Sequence, residues 1–335
     1  MSLLVRGIAL SLFASAACTV GTLDGPDPGG GGGGGGGGGS NNPQPGEISG
    51  MITQSGTWSG KVTIGANATI ISGVTITVAP GTVIEGKAGA SVHVAGTLSI
   101  EGTKAQTVSV LPVSGTPTWP GFVADQGGKV SIKYATGTGI ATLLYCHTGA
   151  TCALDHVDFT QLGNAVVVEG TATLNASHIS QVSNGGITVN SGDLKITDSY
   201  VLTSQGDIVV QNGGNLDIQY SEIGDAQGSY EHCDFHINSA AKLSITHSNI
   251  RNGVYGMMIG GTTNAIIQYD NFVKNGTYTG ATRSDGADID PIGTNTNADF
   301  QYSYWDMGAP TMPGGNFANP APGLITDAGP RAAML

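Results

Sequence analysis

Leu194-Lys195-Ile196-Thr197-Asp198-Ser199-Tyr200-Val201 is the stretch on which the fold turns. Apolar residues stand at its first, third and eighth places, and a small polar residue stands at the sixth. The same phrase recurs from Cys152 to Phe159, Ala172 to Ile179, Leu216 to Ile223, Leu243 to Ile250, Ala265 to Phe272 and Ala298 to Trp305. Its last apolar residue falls at 159, 179, 201, 223, 250, 272 and 305, in steps of 20, 22, 22, 27, 22 and 33. Between phrases lies a second apolar pair, such as Val166 and Val168, Ile187 and Val189, or Ile208 and Val210. Less regular apolar runs precede them, from Val62/Ile64 to Val130/Ile132. A unit of about 22 residues cannot bury its own apolar side, so each must stack on the next. Alternating side chains broken by Gly, Asn, Ser and Asp make the elements strands, and equivalent strands stacked in register make parallel ladders. The expectation is an all-β chain, a single-stranded parallel β-helix of ten to twelve coils. A β-sandwich is the rival, but it does not explain seven copies of one phrase.

The sixth place carries Ser177, Ser199, Ser221, Ser248 and Ser303, with Val157 and Asp270 as variants. There the apolar spacing widens from two to three, so the strand must bend. A small side chain able to hydrogen-bond nearby backbone suits that bend. The column reads as structural, with hydroxyls satisfying one another up the stack.

Composition narrows the function classes. The 335 residues carry 12 Lys and Arg against 24 Asp and Glu, a formal net charge of −12. Such a balance excludes an ordinary nucleic-acid binder, which needs a basic face for phosphates. Only 11% of residues are charged and 55 are glycine, which is unlike a helical protein. At 39% hydrophobic residues the chain can bury a core.

Residues 1–17 read as an export signal: Arg6, then a mostly apolar stretch from Gly7 to Phe13, then small residues. Ser15-Ala16-Ala17-Cys18 resembles a bacterial lipobox, with Ser15 where leucine is usual. Lipidation of Cys18, with acyl chains in a membrane, is the leading expectation. Plain secretory cleavage is the alternative. Residues 18–46 form a tether containing eleven consecutive glycines, Gly29 to Gly39, which have no side chains to bury. The β-helix is expected over 47–309, and 310–335, with five prolines, as a cap or loose tail. The expected address is the cell envelope, lipid-anchored at the outer membrane or surface, or else secreted.

The chain resembles the right-handed parallel β-helix repeats of bacterial surface proteins, with a pectate-lyase-like fold. The resemblance rests on Gly81-Thr-Val-Ile-Glu-Gly86, on Val92-His-Val-Ala-Gly-Thr-Leu-Ser-Ile-Glu-Gly-Thr103, on Trp119-Pro-Gly-Phe122 and on Phe300-Gln-Tyr-Ser-Tyr-Trp305-Asp306. It covers roughly residues 48–310 and implies the fold and its right hand. It implies little about activity, because the fold hosts adhesins, polysaccharide lyases and hydrolases alike.

Three sets of residues invite a functional reading. Tyr200, Tyr220, Tyr269, Tyr302 and Tyr304 cluster on the phrase-bearing side, where outward rings can stack on sugars or cover the strands. Arg283, Asp285, Asp288 and Asp290 form the densest ionic group, in the longest insertion. Paired carboxylates there can bind calcium, or act as acid and base on a glycosidic bond, or simply keep the surface solvated. No other cofactor is indicated. Cys146 and Cys152, six apart at a turn of an exported chain, are expected to form a disulfide, leaving Cys233 as a buried core cysteine. The leading function is a non-enzymatic surface module, adhesin-like or carbohydrate-binding, with carbohydrate or an envelope protein as partner. A polysaccharide lyase or hydrolase using Asp285–Asp290 is the second, and a purely structural envelope role the third.

Overall fold

A computed structural model describes residues 47–331 apart from 114–118, 204–207, 227–232, 262–264, 277–286, 293–296, 311 and 313–314. Every pairing between its strands is parallel, and the chain coils as a β-solenoid of about 9 turns. One face is a ladder of twelve strands, from Gly56–Trp58 to Gly315–Asn316, and the other two faces join in a 21-stranded sheet. A representative coil consists of Asp193–Thr197, Tyr200–Leu202 and Ile208–Gln211.

Thr75–Val78, Val83–Gly86 and Val92–Val94 are three sides of one coil.

The phrase explains the coil. Its first and third residues stack in register and point inward: Ala172, Leu194 and Leu216 form one column, and Leu174, Ile196 and Ile218 form the next. Its eighth residue makes another column, Phe159, Ile179, Val201, Ile223, Ile250, Phe272 and Trp305. All of these side chains are buried. Between the third and eighth residues the chain turns a corner, and the fifth residue makes it. His156, Ala176, Asp198, Tyr220, His247, Tyr269 and Tyr302 all have φ between 45° and 64°, the left-handed region that non-glycine residues seldom occupy.

The serine column sits inside this corner and closes its hydrogen bonds. The Ser177 N–H donates to Ser199 Oγ, Ser199 N–H to Ser221 Oγ and Ser221 N–H to Ser248 Oγ, each at 3.2 Å. Each hydroxyl in turn donates to the carbonyl two residues before it, as Ser199 does to Thr197 O at 2.8 Å. Hydroxyls therefore link coil to coil through backbone N–H groups rather than through one another.

Asp270 takes the serine place in one coil, accepting the Ser248 N–H on Oδ1 at 2.7 Å while Oδ2 has no partner. Complete burial raises its pKa well above the usual carboxylate range, outweighing the Ser248 hydrogen bond that lowers it. The unfolded chain ionises this group near pH about 4 while the folded chain keeps its proton, so the contribution is full in acid and is lost as pH rises. Asp270→Ser is therefore expected to raise the melting temperature at neutral pH. The gain of variant over wild type should shrink towards pH about 4, as melting curves across that range will show.

The C-terminal segment takes part in the solenoid. Gly315–Asn316 pairs with Ala298–Asp299 as the last strand of the twelve-stranded face. Phe317 stacks on Phe300 with ring centroids 4.8 Å apart, and Trp305 stacks on Phe272 at 4.1 Å. At the other end Trp58 is fully buried.

The cysteines depart from expectation. Cys146 and Cys152 are buried as free thiols, not a disulfide. They lie on Thr142–Cys146 and Thr151–Asp155, on either side of a tight turn. Both side chains enter the core there. Their sulfurs are hydrogen-bonded neighbours, and that contact with burial pushes the Cys152 thiol pKa up. Cys146 Sγ also donates to Thr171 O at 3.5 Å. Cys233 is buried as well, but in a small satellite cluster with Val254, Tyr255 and Met258 rather than in the main core. Its sulfur lies 3.6 Å from His236 Nδ1.

Candidate functional site

The corner and the strand after it set out two parallel rows of outward side chains, two residues apart in the phrase. The fifth-place row brings Tyr220, His247, Tyr269 and Tyr302 face to face, with successive centroids 5.0, 5.1 and 5.1 Å apart. The seventh-place row runs Asp158, His178, Tyr200, Glu222, Asn249, Asn271 and Tyr304. The five tyrosines thus divide between rows: Tyr220, Tyr269 and Tyr302 in the first, Tyr200 and Tyr304 in the second.

This division matters chemically. Sugars stack on ring faces, and the fifth-place rings spend their faces on one another. The lower face of that stack is covered too, by the Arg331 guanidinium 3.1 Å from the Tyr220 centroid. Ring stacking at this spacing is worth about 0.5–1.5 kcal/mol per pair, which offsets the strain of left-handed backbone at each corner. This row is a structural spine.

The seventh-place row opens into a groove of about 330 Å³ lined by Val157, Asp158, His178, Tyr200, Leu202, Glu222 and Arg251. His178 Nδ1 lies 3.0 Å from Asp158 Oδ1. The His178 ring meets Tyr200 edge-on, with centroids 6.1 Å apart at 87°. Arg251 donates from Nε to Glu222 Oε1 at 2.8 Å and from Nη1 to Asp225 Oδ1 at 3.0 Å. Burial opposes its charge, but the Glu222 hydrogen bond and the fields of Glu222, Asp225 and Asp234 outweigh it, so its pKa is raised. Polar groups oriented by one another beside an aromatic ring and two aliphatic side chains are what a small polar ligand needs.

Asp158 and Glu222 are not placed to act as a glycosidase pair. Three strand steps separate them, roughly 14 Å at the usual sheet spacing, against about 5–9.5 Å for acid and nucleophile or base.

The acidic insertion is described only in part. Arg283 and Asp285 lie outside the described residues. Asp288 and Asp290 belong to the strand Ala287–Pro291, and Ile289 between them is buried. Asp290 registers with Met258, and Met258 with His236, on a different side of the coil from the groove. Cys18 also lies outside the described residues. Among the described residues no three His, Cys, Asp or Glu side chains gather as a metal site.

A second polar ladder runs along another corner, where Tyr145 Oη donates to Glu169 Oε1 at 2.7 Å and His147 Nδ1 lies 3.2 Å from Oε2. Burial and Glu169 push the Tyr145 pKa up to about 12. Its groups face one another.

A scan against protein-family models finds no match, and a search of curated proteins finds none either. The functional reading therefore rests on the groove itself.

Proposed function

We propose that this chain is an envelope-anchored β-helix module that binds neutral saccharide, without cleaving it, in the groove around Tyr200. Cys18 carries the acyl anchor, and the glycine tract lets the folded part stand off from the membrane. The observation that carries the reading is the groove's composition. Tyr200, Val157 and Leu202 offer apolar contact, while Asp158, His178, Glu222 and Arg251 offer donors and acceptors already held in place by their partners. Two carboxylates and a net charge of −12 disfavour polyuronates.

Tyr200→Ala is the direct test. It removes the ring and leaves the ion pairs, so affinity for neutral oligosaccharides should fall about tenfold or more, the equivalent of about 1.4 kcal/mol. Titration calorimetry on wild type and variant measures it. Equal affinities, or no binding by wild type, would count against the reading.

One observation favours a second reading, a polysaccharide-active enzyme. Arg251 lies within hydrogen-bond reach of Glu222 inside the groove. Release of reducing or unsaturated ends during the same titrations, lost in Glu222→Gln, would select it.

A further inference from the structure

The groove is the open part of a longer track, and the chain's own C-terminal segment fills the rest. Asp158, His178, Tyr200 and Glu222 line the open groove, and the row continues in register through Asn249 and Asn271. Over those two residues lies the segment from Ala321 to Arg331, descending towards the groove. The Ala321 N–H donates to Ser303 O at 3.0 Å. Ile325 is gripped on both sides by the Asn271 amide, its N–H donating to Oδ1 at 2.8 Å and its carbonyl accepting from Nδ2 at 2.9 Å. The Gly329 N–H donates to His247 O at 2.8 Å. Gly329 has φ of 101°, and a Cβ there would stand 2.6 Å from Asn249 Nδ2, so only glycine fits. Arg331 ends the descent, with its backbone N–H 3.1 Å and its Nε 3.4 Å from Asp198 Oδ1, and its guanidinium over Tyr220. Asp198 and Tyr220 each stand two residues before a groove residue, Tyr200 and Glu222 respectively.

We propose that Ala321–Arg331 is a latch seated in the groove's own continuation, displaced when a saccharide chain longer than the open groove binds. This rests on the groove being a saccharide site. The open row spans four strands, roughly 14 Å, and the row from Asp158 to Tyr304 spans seven, roughly 29 Å. A short oligomer fits beside the closed latch, and a long one must compete with it. The end near Arg331 is the natural place to open, because its ion pair is half-exposed and exposed pairs hold weakly.

The test uses the full chain and Arg331→Glu, which repels Asp198 and leaves every groove residue in place. Neutral glucose oligomers, from a disaccharide to an octasaccharide, are titrated into both. The disaccharide should bind both alike, and the octasaccharide about tenfold more tightly to the variant, as expected when a closed state held at about 90% no longer competes. In the wild type, the octasaccharide should speed hydrogen exchange at the Ile325 and Gly329 amides, and the disaccharide should not. Disaccharide binding with no length-dependent gain in the variant and no change in exchange would overturn the latch alone. Failure of both oligomers to bind would remove the saccharide site and the latch with it.

Discussion

Trp305→Ala should destabilise the protein by about 3–5 kcal/mol, the usual cost of removing a buried aromatic ring. Trp305 is 5% exposed and is the hub of the C-terminal plug, stacked on Phe272 and edge-on to Phe300 and Phe317 at 5.8 and 5.6 Å. The loss would not be confined to packing. Phe317 follows the last strand of the twelve-stranded face, so loosening it uncovers the open end of a parallel ladder, where unpaired N–H and C=O groups recruit other chains. Denaturant unfolding should therefore show a lower midpoint, and light scattering should show association at concentrations where wild type is clear. A variant as stable as wild type would mean that the end is held by something other than this ring cluster.

The second large effect belongs to Ser221→Ala. Ser221 is fully buried; its Oγ accepts the Ser199 N–H at 3.2 Å and donates to Gln219 O at 2.9 Å. Alanine leaves that N–H buried without its acceptor, at a cost of about 1–3 kcal/mol. The same change at an outward strand position that is only half-buried should cost about 0.5 kcal/mol or less, so Ser244→Ala on the neighbouring ladder is the control. The denaturant midpoint should fall with the slope unchanged, since the surface exposed on unfolding stays the same. A loss below about 0.5 kcal/mol, the usual range for surface substitutions, would mean that the serine column is only a convenience of size.

The solenoid was legible in the sequence because the phrase repeats the physics of each coil: two inward residues, a corner, one more inward residue. The serine column was legible for the same reason, although the corner itself is made by the residue before the serine. What the phrase does not reveal is which outward neighbours see one another. Tyr200 and Tyr220 look alike in sequence, yet their places in the phrase differ by two, which puts one in a groove and the other in a closed ring stack. The seventh-place row of Asp158, His178, Tyr200 and Glu222 was readable as a column once the register was known, and its polarity was the missed signal. Arg251 stands one row further out, in register with Leu202, which also lines the groove, and it reaches back to Glu222. The C-terminal segment has no repeat to read, so its contacts with Asn271, His247 and Asp198 lie beyond any periodicity argument.

The most direct measurement is a hydrogen-exchange footprint of the full chain with and without a neutral disaccharide. The account predicts protection confined to Asp158–Thr160, His178–Ser180, Tyr200–Leu202, Glu222–Gly224 and Asn249–Arg251, the strands beneath the groove. Protection centred on Tyr269 and Tyr302, on Ala287–Pro291, or nowhere at all, would contradict it.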